Sequence, residues 1–160
     1  MSTADAIAPV APVMPGVAPR VLLIRAPYYR AIVDGMTAAA TALLGEVNAT
    51  VETIDVAGAF ELPQALRIAL RGTTRFDGFV VLGCVVRGET DHYDYICDSA
   101  MNGLMNVAVQ FGLCLGTALL TVDTIAQAEA RSAETGPNKG AEAAVACLKQ
   151  IALARHLGAA

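Results

Sequence analysis

Two histidines, His92 and His156, stand in a chain of 160 residues. Histidine is the side chain whose unperturbed pKa places proton transfer near neutrality. His156 falls in the last turn of a predicted helix, where a cation meets the helix dipole favourably and no chemistry is required. His92 lies in the stretch Gly83-Cys84-Val85-Val86-Arg87-Gly88-Glu89-Thr90-Asp91-His92-Tyr93-Asp94-Tyr95. The run before it, Phe79-Val80-Val81-Leu82, is continuously apolar, as in a strand covered on both faces. Beyond Tyr95 the apolar positions Ile96, Ala100, Leu104 and Val107 recur every three to four residues, as on one helix face. A strand's carboxyl end therefore feeds a helix amino end, where open α/β sheets bind ligands and free N–H groups favour anions. A lone histidine is more often structural than catalytic. Arg87, Glu89, Thr90 and Asp94 beside it bring the two readings level.

Three further segments fall at predicted strand exits or helix starts. Gly58-Ala59-Phe60-Glu61-Leu62-Pro63 joins a strand to a helix. Glu61 is suited to accept hydrogen bonds from a polyol, with backbone N–H groups around Ala59 as donors. Composition alone slightly favours a plainer role for Glu61, a helix-start carboxylate stabilised by the dipole. Pro27-Tyr28-Tyr29 follows the first strand, where an exposed ring would stack on a planar heterocycle and ordinary packing is the alternative. Arg131 and Lys139 flank the break Gly136-Pro137-Asn138. Arg131 has the fork geometry that holds a phosphate and Lys139 is a point charge, with surface solvation the alternative for both. An aromatic, a carboxylate, a histidine and cations thus converge on one sheet edge. No Walker-type lysine loop or dinucleotide glycine fingerprint accompanies them. The set suits small planar, hydroxylated and phosphorylated substrates without a nucleotide cofactor.

Positioning these groups requires alternating elements. The spacing predicts strands at Val21–Ile24, Ala49–Val56, Phe79–Val86 and about Leu113–Thr121. Helices follow: Ile32 to Gly45, Leu62 to Gly72 with Pro63 in its first turn, one ending near Phe111, one opened by the capping box Thr124-Ile125-Ala126-Gln127, and a last from Lys139 to His156. Such alternation means a parallel sheet with helices on both faces. Residues 1–19, with Pro9, Pro12, Pro15 and Pro19, read as an extended arm or a disordered tail, and residues 20–160 as one domain.

The composition is 55% hydrophobic and 16% charged, without tryptophan, which leaves little polar surface for a free monomer and predicts an oligomer. A net charge of −4 without basic clusters argues against nucleic acid. No uncharged apolar run approaches the roughly 20 residues of a membrane span. Cys84, Cys97, Cys114 and Cys147 sit in apolar segments without a C-x-x-C pair and read as small reduced hydrophobes. The amino end lacks the pattern of a secretory signal, so the cytoplasm is the default location.

Taken together, Gly58 to Pro63, Gly83 to Tyr95, and Asn138-Lys139-Gly140 preceded by Thr124 to Ala128 and Arg131 resemble the 6,7-dimethyl-8-ribityllumazine synthase family over about residues 20–155. The resemblance implies a flavodoxin-like three-layer α/β/α sandwich on a four-stranded parallel sheet. It implies a transferase of riboflavin biosynthesis that condenses 5-amino-6-(D-ribitylamino)uracil with 3,4-dihydroxy-2-butanone 4-phosphate, with no metal or organic cofactor. By position, Tyr28 would stack on the pyrimidine. Ala59, Phe60 and Glu61 would hold the ribityl chain and ring edge, and Cys84, Val85 and Val86 would line the ring with backbone polar groups. Glu89 and Thr90 would meet the phosphate through main-chain donors, Arg131 would bind it from an adjacent subunit, and His92 would shuttle protons. The resemblance also implies a homopentamer or a multiple of pentamers with sites between subunits, and names riboflavin synthase among candidate partners.

The chain departs from the family pattern at three places. Tyr28-Tyr29 replaces Phe-Asn, Pro27 replaces a common arginine, and Thr117 stands where a ring-pocket Phe is usual. A related riboflavin synthase and a non-catalytic ligand-binding relative are the competing functions. The intact Arg87-Gly88-Glu89-Thr90 loop and the Asn138-Lys139-Gly140 motif favour the lumazine-forming enzyme.

Overall fold

Seven of the nine residues of β3 (Gly78–Val86) are buried, as the continuous apolar run requires. Around it the computed structural model describes residues 8–159. The elements are β1 (Arg20–Ala26), α1 (Arg30–Glu46), β2 (Thr50–Asp55), a 3-10 turn at Ala59–Glu61 running into α2 (Leu62–Ala69), then β3, α3 (His92–Phe111), β4 (Leu115–Val122), α4 (Ile125–Ser132) and α5 (Lys139–His156). The four strands are all parallel in the order β2-β1-β3-β4. The result is the flavodoxin-like three-layer sandwich that the motifs implied.

Side-chain alternation along the strands feeds two separate apolar layers. Val21 and Leu23 of β1, Val80 and Leu82 of β3, and Ala118 and Leu120 of β4 pack with α1 and α5. Leu22, Ile24, Phe79, Val81 and Leu119 pack on the opposite face with Leu62 and Leu66 of α2 and Ala100 and Leu104 of α3. α5 lies so close to its neighbours that a Cβ on Gly116 would overlap the carbonyl of Ala143, and one on Gly140 would overlap that of Met36. The small residues of the sequence are therefore used in backbone-to-backbone packing.

Several boundaries differ from those read off the sequence. α2 ends at Ala69 rather than Gly72, because Arg71 and Gly72 donate to the carbonyls of Ile68 and Ala69 in a closing turn. β4 begins at Leu115 rather than Leu113. Gly112 takes a left-handed φ of 61° and Leu113 donates to Ala108, so both residues belong to the α3 cap. The capping box holds: Gln127 N–H donates to Thr124 Oγ1 at 3.3 Å, and Gln127 Oε1 accepts from the Asp123 N–H at 2.8 Å. Residues 8–19 carry no helix or strand. Arg155 of α5 holds them by donating to the carbonyls of Pro15 and Val17 at 2.6 and 2.7 Å. Residues 1–7 of the predicted arm, and Ala160, lie outside the described residues.

Asn138 joins three helices at the start of α5. It is 4% exposed. Its Oδ1 accepts from Gly140 N–H at 2.8 Å, and its Nδ2 donates to the carbonyls of Ser132, Ala133 and Gly35 at 2.8, 3.1 and 3.3 Å. Asn138→Ala removes a helix cap and orphans buried carbonyls, so it should lower the unfolding free energy by roughly 2–3 kcal/mol. Chemical denaturation read by circular dichroism checks this.

Candidate active site

The exits of β1 and β3 and the turn before α2 enclose a cleft of about 420 Å³. It is lined by Tyr28, Ala59, Phe60, Glu61, Cys84, Val85, Val86 and His92, all expected from the sequence, together with Tyr29, Ala57, Gly58 and Ile96. Tyr29 packs on the core while the Tyr28 ring, 77% exposed, meets it edge-on with centroids 5.2 Å apart. Tyr28 thus offers an open aromatic face anchored by a fixed neighbour. Phe60 is 48% exposed on the opposing segment. Glu61 stands at the N-cap of α2 yet makes no side-chain cap bond. Its carboxylate folds back over Gly58, into the cleft. The cleft position, rather than helix capping, is what the structure assigns to it.

His92 opens α3, where the Asp94 and Tyr95 N–H groups donate to the Asp91 carbonyl and those of His92 and Tyr93 have no intrahelical partner. Glu89 and Thr90 are exposed in the preceding loop, and among the described residues neither side chain makes a hydrogen bond. That leaves an anion-friendly helix start beside an imidazole.

Arg131 and Lys139 do not join this cleft, contrary to the expectation that all the candidate groups meet on one edge. They line a separate groove of about 390 Å³ along the open edge of β4, with Thr117, Thr121, Met101 and Glu142. The reason is the face of the sheet. α4 and the start of α5 pack beside α1 on one face, whereas α2 and α3, which begin beside Glu61 and at His92, pack on the other. Within that groove Lys139 Nζ contacts both oxygens of Glu142 at 2.8 and 2.7 Å, so much of its charge is matched. The i,i+3 spacing on one helix carried that signal in the sequence. Arg131 Nη1 donates to the carbonyl of Gln127 at 2.9 Å, and among the described residues no carboxylate pairs with it. Below the groove an apolar trough of about 470 Å³ runs between α3 and α5, lined by Met101, Leu104, Met105, Val109, Leu153 and Leu157.

No group of three or more His, Cys, Asp or Glu among the described residues could hold a metal. Among the described residues no helix is long and apolar enough to cross a membrane. The combination of a doubly wound parallel sheet, a cleft at its strand exits with an open aromatic face, a carboxylate and a histidine, and a second cationic groove defines a class of enzyme for small planar and anionic substrates.

The chain belongs to the 6,7-dimethyl-8-ribityllumazine synthase family, whose model matches residues 18–155. Proteins named 6,7-dimethyl-8-ribityllumazine synthase are similar to it over most of both chains. The one from Paramagnetospirillum magneticum is 41% identical over 145 residues, covering 87% of this chain and 97% of the relative. That from Methylobacterium radiotolerans is 43% identical over 136 residues, covering 85% and 82%. That from Agrobacterium fabrum is 40% identical over 144 residues, covering 88% and 97%.

Cys84 lines the cleft but is not built as a nucleophile. Burial disfavours its thiolate and pushes the thiol up to about 11. At pH 7.5 roughly one thiol in three thousand is then ionised. Alkylation of Cys84 by iodoacetamide, followed by peptide mass spectrometry, should be very slow at neutral pH. It should climb about tenfold per pH unit until it levels near pH 11. Rapid labelling at pH 7 would contradict the burial.

Proposed function

We propose that this chain condenses 5-amino-6-(D-ribitylamino)uracil with 3,4-dihydroxy-2-butanone 4-phosphate to give 6,7-dimethyl-8-ribityllumazine, phosphate and water. The observation that carries the reading is the cleft itself, which gathers Phe60, Glu61, Cys84 to Val86 and His92 from two separate family motifs and Tyr28 from the exit of β1. The open face of Tyr28 stacks on the pyrimidine, and Val85 and Val86 offer backbone groups to its edge. Glu61 accepts hydrogen bonds from ribityl hydroxyls. The loop amides near Glu89 and Thr90 face the phosphate of the second substrate.

The chemistry asks for a primary amine to attack a ketone, water to leave, phosphate to be eliminated and a ring to close with loss of a second water. Holding two substrates in near-attack geometry is worth several kcal/mol, on the order of 7 or more in the best cases. Proton transfer by His92 supplies ~10²–10⁴-fold more. His92 takes a proton from the amine nitrogen as it adds to the ketone and returns one to the departing hydroxyl, which leaves as water.

The site is shared between copies in a homo-oligomer. The support is the separation of the two halves: Arg131, Lys139 and Thr117 line the β4 edge, while His92 and Glu61 lie across the sheet. The apolar trough beneath the β4 groove gives a neighbour somewhere to dock. With Lys139 tied to Glu142, Arg131 carries the anion binding for the neighbouring cleft. Thr117 offers that cleft a methyl and a hydroxyl, without a second aromatic wall. A pentamer or a multiple of pentamers satisfies the same requirement, and riboflavin synthase, which consumes the product, is the partner this chemistry suggests.

His92→Ala should lower kcat by on the order of 10²–10⁴-fold while leaving measurable turnover. Arg131→Ala should instead raise KM for the butanone phosphate by roughly 10–100-fold. Steady-state kinetics with both substrates check each, and an unchanged rate in the His92 variant removes the proton role. Co-refolding the two variants should then restore about a quarter of the sites, those pairing an intact His92 with an intact neighbouring Arg131. No restoration would mean that each chain completes its own site.

A further inference from the structure

Arg87 lines neither the cleft nor the groove, yet its guanidinium is the most heavily engaged in the chain. Nε donates to Asp123 Oδ1 at 3.0 Å. Nη1 and Nη2 fork onto the two oxygens of Asp94 at 3.2 and 3.1 Å. Cζ lies 4.1 Å from the centroid of the Tyr93 ring. The Arg87 N–H donates to the carbonyl of Val122 at 2.9 Å, so backbone and side chain both tie the exit of β3 to the exit of β4.

These partners flank the working groups. Tyr93 and Asp94 directly follow His92 in the first turn of α3. That turn has no side-chain cap, since Asp91 at the N-cap makes no such bond. α4 and α5, by contrast, are capped by Thr124 and Asn138. Asp123 precedes the Thr124 cap, and its N–H donates to Gln127, whose carbonyl accepts from Arg131. One chain of contacts therefore runs from the His92 turn through Arg87 to Asp123, Gln127 and Arg131.

We propose that Arg87 is a positioning residue, which ties the uncapped first turn of α3 to the exit of β4 and holds the His92 turn and the Arg131 helix in fixed register. The inference rests on the lumazine-forming reading for its kinetic consequence and on geometry alone for its structural one. Arg87, Asp94 and Asp123 are all exposed, with side chains 45%, 62% and 66% accessible. Exposed pairs add little to global stability, so their fork-and-stack geometry is spent on orientation. Lysine cannot reproduce that geometry, because its ammonium has no planar fork.

The test compares the full-length wild type with Arg87→Met and Arg87→Lys. Arg87→Met should lower kcat by roughly 10–100-fold, since a displacement of about 1 Å is enough for that loss. It should raise KM for the butanone phosphate at least about threefold and leave KM for the pyrimidine within about twofold. Its melting temperature should stay within about 4 °C of the wild type. Arg87→Lys should recover only part of kcat. Amide hydrogen exchange should quicken in residues 88–95 and 123–127 and nowhere else. Kinetics within about twofold of the wild type overturn the proposal, as does a parallel loss in all three constants with a melting drop beyond about 10 °C. If the wild type forms no lumazine, the functional reading fails. Amide exchange then decides on Arg87 alone, and unchanged exchange in Arg87→Met refutes its positioning role.

Discussion

The handedness of the crossovers decides where this protein can hold a substrate. A parallel strand-helix-strand unit closes right-handed, because only then does the helix pack back on the twisted sheet. From β1 the chain crosses by α1 to β2 on one side of the sheet. It returns by α2 to β3 and continues by α3 to β4 on the other. Successive connections therefore leave β1 and β3 in opposite directions and on opposite faces, as the two apolar layers record. Between the exits of those two strands no helix can cover the sheet edge, and the cleft opens there. Tyr28, Glu61 and His92 face one another because each lies just beyond a strand end or helix start bordering that gap.

The same constraint places half of the chemistry elsewhere. β4 is added outside β3, and the helices after it return to the α1 face of the sheet, opposite the face on which α2 and α3 pack. α5 is drawn against the sheet by the glycine contacts at Gly116 and Gly140, and Asn138 fastens its start to α1 and to the end of α4. Arg131 and Lys139 are thereby held rigidly, but along the β4 edge. On the proposed shared site, that placement serves the cleft of a neighbouring copy.

The alternation of elements was legible in the sequence because period and punctuation agreed: apolar runs bounded by glycine, proline and capping residues. α3 and α5 end where the pattern stops, and the capping box at Thr124 forms as read. The cleft lining was legible too, since strand exits preceding helix starts share an edge whatever the strand order. What stayed hidden depends on order and on side-chain pairing. Convergence of the cations on the same cleft was expected because all the exits share one edge, but that rule fixes the edge and not the position along it. The pairing of Lys139 with Glu142 is local, an i,i+3 pair on one helix, whereas the reach of Arg87 across 36 residues to Asp123 is a tertiary fact that composition does not encode.

The high apolar content resolves into two parts with different consequences. One part, rich in alanine and glycine, lets α1, α5 and β4 approach at backbone distance and leaves no surplus outside. The other part is not satisfied within the chain: Met105, Val109, Leu153 and Leu157 are 62%, 73%, 49% and 69% exposed along one trough. That trough lies directly below the polar groove of Arg131 and Thr117, and the two share Met101 and Thr117 in their linings. Apolar area drives association while the adjoining polar groups set its register. A neighbour docking on the trough would therefore be guided by the same strand edge that carries Arg131, the arginine proposed to bind phosphate. On the proposed shared site, assembly and completion of the site are one event, and a change at Thr117 would be felt by both.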